Sequence, residues 1–302
     1  MTDLAMTIVV TAPKNTMPSL SALEDYLSEV GAAIVSRDKC PVPTTLDHRR
    51  YCELWRVSAV EGELNRSRLA AIGDELKIDI NLQSSEQRLR DYRLAVFDMD
   101  STLIECEVID LLAERAGVGE RVAAITERAM RGEIDFDQSF KERVALLKGL
   151  SSGVLDELLN TLPFVEGGRE LMLSLRSQGI KTVIVSGGFD IFASHVATVL
   201  GMDGYLANTL SIADDKLTGE AVLPIVNADT KREQLLNLVH ELDVTAEQSI
   251  AVGDGANDLA MLSAAGLGVA FHAKPIVRAQ ADYQVSHTGL DSLLYFLGHH
   301  GE

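Results

Sequence analysis

Two apolar runs in this chain end abruptly in acids, and that pairing limits the folds open to it. Leu94-Ala95-Val96-Phe97 is followed by Asp98-Met99-Asp100-Ser101-Thr102, and Ile250-Ala251-Val252 by Gly253-Asp254-Gly255-Ala256-Asn257-Asp258. A short continuous apolar run suits a parallel strand buried on both faces. Side chains alternate along an extended segment, so Asp98 and Asp100 leave on one side and Met99 on the other. Two acids at the end of a buried strand are costly unless a cation or a proton accompanies them. Open α/β sheets place their ligand crevice at those strand ends.

The surrounding pattern is that of such a sheet. Strand-like runs at Lys181–Val185, Ser249–Val252, Leu267–Phe271 and Tyr283–Val285 alternate with helical spacing at Gly168–Gln178, Asp190–Leu200, Thr230–Leu242, Asp258–Ala265, Pro275–Ala279 and Leu290–Leu297. Repeated β-α units predict a Rossmann-like parallel sheet with helices on both faces, an α/β class. Four helical segments, Val108–Ala116, Arg121–Arg131, Asp137–Lys148 and Val154–Leu162, interrupt the alternation after its first strand. Inserted there, at about 105–165, they read as a cap over the strand ends. Tyr205–Val222 reads as an excursion of short strands with Asp214-Asp215-Lys216 at its tip.

Residues 1–83 follow a different plan. Thr7–Thr11, Ala32–Ser36, Tyr51–Val60 and Ile78–Leu82 read as strands, with amphipathic helices at Ser19–Val30 and Glu63–Leu76. The order β-α-β-β-α-β is the ferredoxin-like layout of a small α+β domain. A polar stretch, 84–92, is the expected linker to a second domain over 93–302.

A net charge of −18 argues against a nucleic-acid or anionic-membrane surface, which clustered Lys and Arg would bind. No apolar run approaches the roughly 18 residues of a membrane span, and Asp3, with no Lys or Arg ahead of the first apolar stretch, is unlike a secretory signal. Three cysteines, Cys40, Cys52 and Cys106, have no metal-ligand spacing and leave an odd thiol, which fits a reducing cytoplasm. Cys40 and Cys52 fall on neighbouring strands and are expected as free thiols.

Two further clusters carry chemistry. Ser186-Gly187-Gly188 directly follows an apolar strand and offers a hydroxyl and exposed N–H groups to an anion. Thr230 and Glu233 have the spacing of a capping box, which would put Lys231 in the first helical turn. A cation there opposes the helix dipole, so a phosphate is the expected beneficiary. Around Asp98 and Asp254, oxygen ligands without His or Cys suit a hard cation, and a few carboxylates plus substrate phosphate suit Mg²⁺.

Together D-M-D-S-T, S-G-G, Lys231 and G-D-G-A-N-D, in that order, resemble the haloacid dehalogenase superfamily of aspartate-based phosphotransferases from Leu94 to about Leu297. Within it, Glu107 and the stretch Ala129-Met130 to Phe136-Asp137-Gln138-Ser139-Phe140-Lys141-Glu142-Arg143-Val144 look like the phosphoserine phosphatases. The N-terminal layout resembles ACT regulatory domains, with no diagnostic motif.

The resemblance implies an Mg²⁺-dependent hydrolysis of O-phospho-L-serine to L-serine, the closing step of serine biosynthesis. By it, Asp98 is the nucleophile, Asp100 the acid and base, and Mg²⁺ rests on Asp98, Asp254 and the Asp100 carbonyl. Ser186, Gly187 and Lys231 would bind the phosphoryl group, and Asn257 and Asp258 would position the metal or substrate. Glu107 would receive the ammonium, Arg143 the carboxylate, with Met130 and Phe136 closing the pocket. Three readings stay open for residues 1–83: binding an amino-acid effector such as serine, only mediating a homodimer, or neither. The rival readings are a phosphatase for another small phosphorylated amino acid or alcohol, and a non-catalytic amino-acid sensor.

Overall fold

The structure, a computed structural model, describes residues 3–13, 18–40, 50–60, 64–83 and 88–298. The N-terminal sheet comprises β1 (Asp3–Pro13), β2 (Ala33–Lys39), β3 (Arg50–Val60) and β4 (Asp79–Gln83), all antiparallel in the order β2-β3-β1-β4. Helices α1 (Ser21–Glu29) and α2 (Arg66–Leu76) cover one face, where Ile8, Val10, Trp55, Val57, Ile80 and Leu82 meet Leu23, Leu27, Leu69 and Ile72. This is the ferredoxin-like plan. Helix α2 starts where the Asn65 side chain accepts the Arg68 N–H at 3.0 Å; the expected start at Glu63 lies outside the described residues, as do 84–87 of the linker.

The opposite face of this sheet is buried too. Val9, Cys40 and Cys52 join a core with Leu89, Tyr92, Tyr295 and Phe296. Cys52 and Cys40 are free thiols in contact, their sulfurs 2.8 Å apart. In β4, Asp79, Asn81 and Gln83 alternate with Ile80 and Leu82, a pattern expected of a strand with one wet face. Instead all five residues are buried. Asn81 substitutes for a strand neighbour: its amide donates to the Gln284 carbonyl and accepts the Gln284 N–H, both at 2.8 Å.

The second sheet contains β5 (Leu94–Phe97), β6 (Lys181–Phe189), β7 (Gly204–Asn208), β10 (Ser249–Gly253), β11 (Leu267–Phe271) and β12 (Tyr283–Val285). Its six strands are parallel, in the order β12-β11-β10-β5-β6-β7. Both faces are covered, as the continuous apolar runs require. Leu94, Val96, Val183 and Val185 pack against α9 (Ala228–Glu241) and α10 (Leu259–Ala264). Ala95, Phe97, Ile184 and Val252 pack toward α7 (Gly168–Ser177), α8 (Asp190–Leu200) and α12 (Leu293–Phe296). A short helix, α11 (Pro275–Arg278), links β11 to β12.

Helices α3 (Val108–Arg115), α4 (Gly119–Met130), α5 (Phe136–Leu146) and α6 (Gly153–Leu159) form the block between β5 and α7. The chain leaves and re-enters the sheet region side by side: Glu105 N–H donates to Pro163 O at 2.8 Å, and Val165 N–H to Leu103 O at 3.0 Å.

One expectation needs correcting. The stretch Tyr205–Val222 is not a single excursion, because β7 extends the parallel sheet beside β6. Only β8 (Leu210–Ala213) and β9 (Lys216–Ala221) form a hairpin, turned by Asp214 and Asp215 at φ 51° and 58°. The hairpin leans on the helical block through Gly149 N–H to Leu217 O and Leu217 N–H to Leu150 O. Among the described residues no helix is long and apolar enough to cross a membrane.

Replacing Asn81 with alanine leaves a part-buried N–H and C=O of Gln284 without these partners. Urea unfolding is expected to show a loss of about 1–3 kcal/mol; an unchanged midpoint would mean that water or backbone movement replaces both bonds.

Candidate active site

Strand order decides what meets at the sheet's edge. With β5 between β10 and β6, Asp98, Asp254 and Ser186 reach the same end of the sheet. The Asp98 N–H still donates to the β10 residue Val252 at 2.9 Å, so its backbone is fixed by the sheet. Its Oδ1 accepts the Met99 N–H at 2.8 Å and lies 2.8 Å from Lys231 Nζ. Oδ2 has no hydrogen-bond partner among the described residues.

Lys231 is fully buried, and its Nζ also lies 2.7 Å from Asp258 Oδ1. Burial alone would lower its pKa, but the charges of Asp258 and Asp98 outweigh that and raise it. The expected capping box at Thr230 is not what starts α9. Asn227 is the cap, its Oδ1 accepting the Thr230 N–H at 3.2 Å. A short amide side chain serves this role as well as a hydroxyl does, and Lys231 sits at the fourth helical position.

The acids outnumber the lysine. Asp98, Asp254 and Asp258 are all buried, and each offers a carboxylate oxygen within 4.8 Å of the others. Asp258 Oδ2 accepts the Gly255 N–H at 2.9 Å, yet burial and then Asp98 push its pKa up to about 6. The Asp254 carboxylate has no hydrogen-bond partner among the described residues, and burial followed by Asp98 and Asp258 raises it to about 8. Three carboxylates against one ammonium leave negative charge uncompensated in a low-dielectric cleft. An all-oxygen donor set of this kind fits a hard divalent cation, Mg²⁺ above the softer metals.

Asp100 meets a different environment from Asp98. Its Oδ1 accepts the Val108 N–H at 3.0 Å, at the start of α3. Burial, then the charges of Glu107 and Asp98, raise its pKa well above the ordinary carboxylate range. Gly188 lets it fit: a Cβ there would lie 2.4 Å from Asp100 Oδ2 and 2.9 Å from Met99 Cε. Ser186 Oγ accepts the Gly188 N–H at 2.9 Å, which orders the turn after the apolar part of β6.

On the side of the helical block, Ser101 donates to Glu107 Oε1 at 2.8 Å. Glu107 is open to the cleft, and its pKa is raised by burial and, among the charges, chiefly by Asp98. Arg143 is half-buried on α5, its Nε donating to Ser139 O at 3.3 Å. Burial lowers its pKa, while Asp110, Glu107 and Asp100 pull the other way. Arg143 and Glu107 thus share one cleft with Asp100. Phe136 stacks on Phe140 at 6.2 Å and approaches Gly187, where a Cβ would stand 3.0 Å from its ring. Asn257 lies in the turn between Asp254 and Asp258. Met130 stands apart, 68% exposed at the end of α4.

Sequence reading missed two contributors, Asn208 and Lys274, and one pairing, that of Asp258 with Lys231. Asn208, 1% exposed, donates to Gly187 O and accepts the Val226 N–H, both at 2.8 Å, tying the Ser186–Gly188 turn to the approach of α9. A lone Asn at a strand end carries no motif. Asp258 pairs with Lys231 across a separation in sequence that only the fold closes. Lys274 places a charge that favours ionised Glu107 and Asp254, and its N–H donates to Asp254 O at 3.2 Å.

Residues 92–266 match the family model described as haloacid dehalogenase-like hydrolase. A phosphoserine phosphatase of Haemophilus influenzae is 45% identical over 223 residues, 74% of this chain and 71% of that protein. Phosphoserine phosphatase SerB2 of Mycobacterium tuberculosis is 45% identical over 230 residues, and there the match spans only 56% of the relative's length. Among solved structures, a probable phosphoserine phosphatase from Vibrio cholerae superposes with a TM-score of 0.75 at 38% identity, covering 97% of this chain and 86% of that one. A hydrolase of the same superfamily from Salmonella enterica serovar Typhi gives 0.83 at 31% identity, covering 97% and 98%.

Lys231→Met leaves Asp98 and Asp258 buried with no cation. At pH 7 in metal-free buffer the variant should lose about 3–5 kcal/mol of stability. A buried acid with a raised pKa costs stability only while ionised, and Asp258 already titrates near 6 with Lys231 beside it. The deficit should therefore shrink as pH falls toward 5 in thermal melts; a deficit constant with pH would show that packing, not charge, is what Lys231 supplies.

Proposed function

Since the chain belongs to the haloacid dehalogenase-like hydrolases, and within them to the phosphoserine phosphatase family, we propose that it hydrolyses O-phospho-L-serine with Mg²⁺ through an aspartyl-phosphate. The observation that carries this reading is the contrast between two carboxyls one residue apart. Asp98 is pinned through one oxygen by Lys231 and the Met99 N–H, while Asp100 turns to the Val108 N–H and has its pKa raised by burial, Glu107 and Asp98. A nucleophile must be charged and an acid must carry a proton; two environments provide one of each.

Asp98 Oδ2 attacks phosphorus in line, forming the aspartyl-phosphate and dividing a hard displacement into two easier ones. The Asp100 proton goes to the departing seryl oxygen. Asp100, now ionised, takes a proton from the water that attacks the phosphorus, which returns Asp98 and releases phosphate. Ser186 Oγ–H, the Gly187 N–H and Lys231 Nζ are the donors available to the phosphoryl oxygens as charge spreads over them. Asp98, Asp254 and the Asp100 carbonyl would hold Mg²⁺, with Asp258 and Asn257 beside it, and the bound cation would offset phosphoryl charge beside the carboxylates. Arg143 receives the substrate carboxylate and Glu107 the ammonium, a planar fork and a point charge matched to their partners. Phe136, against Gly187, shields the reacting end from bulk water. Met130 would complete that wall only after moving from its exposed position. The three free thiols support a reducing, cytoplasmic setting. Release of L-serine would close a route of serine biosynthesis.

Phosphate release from O-phospho-L-serine is the direct test, with EDTA expected to abolish it and Mg²⁺ to restore it. In Asp98→Asn, which keeps shape and removes the nucleophile, turnover should fall by about 10⁴-fold or more while the fold persists; substantial residual turnover would reject Asp98. Arg143→Ala should cost about 10- to 100-fold in kcat/KM for phosphoserine, the worth of a charge-assisted bond. For O-phosphoethanolamine, which lacks the carboxylate, the loss should be small. Equal losses on both would remove Arg143 from recognition.

A further inference from the structure

The buried polar face of β4 reaches further than docking requires. Asp79, 2% exposed, gathers the segment after β12: its carboxylate accepts the Ser286 N–H at 2.6 Å, the His287 N–H at 3.1 Å and the Thr288 hydroxyl at 2.6 Å. Thr288 is itself buried, and its hydroxyl accepts Ser292 Oγ–H at 2.7 Å. The same residue's carbonyl lies 2.9 Å from His272 Nε2. A carbonyl only accepts, so the His272 proton must be on Nε2.

His272 is held in an unusual backbone state, φ 44°, with its N–H donating to Val285 O at 2.7 Å. A non-glycine residue keeps such a conformation only where its surroundings enforce it. Two residues on, the Lys274 N–H donates to the carbonyl of Asp254. One hydrogen-bonded path therefore runs from the N-terminal sheet, through Thr288 and the strained His272 turn, to the backbone of an acid in the cluster. Apolar contact would have sufficed to attach the sheet. A buried carboxylate with three donors is costly to assemble and more specific in geometry.

We infer that Asp79 is a positioning residue for the acidic cluster: through Thr288 and His272 it fixes the Asp254 backbone and so sets the affinity of the cluster for its divalent cation. The inference rests on the preceding reading that Asp254 holds that cation. Outer partners of a ligand tune metal affinity by orienting it, and here the outer partner is supplied by the N-terminal sheet.

The experiment measures Mn²⁺ binding to the full chain by electron paramagnetic resonance, with Mg²⁺ as competitor. Asp79→Asn and Thr288→Val should each bind Mn²⁺ roughly three- to thirtyfold more weakly. Thr288→Ser, which keeps the hydroxyl, should bind as the parent does. So should Asn81→Ala, which loosens the same junction without touching the path. In the Asp79→Asn/Thr288→Val double variant the losses should not add, because both interrupt one path. Unchanged affinity in folded Thr288→Val would overturn the inference, and this variant decides alone if Asp79→Asn fails to fold. Equal weakening in Asn81→Ala would also overturn it, since integrity of the junction would then be all that matters. A parent chain with no Mn²⁺ site displaced by Mg²⁺ would instead overturn the preceding reading, and this one with it.

Discussion

One buried ammonium makes the rest of the site possible. Lys231 Nζ sits between Asp98 and Asp258 at 2.8 and 2.7 Å, fully enclosed by the sheet's end and α9. Without it, two carboxylates would face each other in a medium where like charges cannot both ionise. With it, Asp98 has a cationic partner and a fixed orientation, and Asp254 is left as the acid without a partner. The site is thus short of positive charge by design of its residue count. That deficit suits a divalent cation, and a phosphate would be accommodated only together with it.

The division of labour between Asp98 and Asp100 follows from the same arrangement. Alternation along the strand sends both toward the crevice, yet only Asp98 is within reach of Lys231. Asp100 turns to the Val108 N–H, sits in full burial, and feels Asp98 and Glu107 as like charges. A few ångströms of backbone therefore separate the proposed nucleophile from the proposed acid. Gly188 and the small Ser186 keep the space into which Asp100 fits. Positioned charge, more than covalent novelty, is what phosphoryl transfer asks of a protein.

Much of this was legible in the residues. Apolar runs ending in acids located β5 and β10, and the helical spacing of Val108–Leu162 located the block that overhangs them. The parallel sheet followed from repeated β-α units. What escaped was whatever depended on contact across long sequence separations. Thr230 was mistaken for a cap because the amide of Asn227 competes equally well and lies where the chain turns. β7 was read as part of an excursion of short strands because a short edge strand looks alike in either sheet. Asn208 bears no motif at all, and the alternation in β4 could not show that its polar face is buried, because alternation cannot tell water from a buried polar partner. In each case the missing information was tertiary.

The N-terminal sheet stands in a different relation to the chemistry. Its helix-covered face is self-sufficient, while its other face is spent on the core around Tyr295 and on the backbone beyond β12. Apolar packing and polar contacts thus join the two sheets, and one turn separates that junction from the Asp254 backbone.

The central claim is that the Asp98 carboxylate becomes phosphorylated during turnover. Acid quench within milliseconds of mixing the full chain with Mg²⁺ and ³²P-labelled O-phospho-L-serine, followed by peptide mapping, tests it directly. A base-labile label on the peptide bearing Asp98, forming and decaying fast enough to carry turnover, is the result expected. Label on Ser186, or full turnover with no labelled protein, would contradict the account.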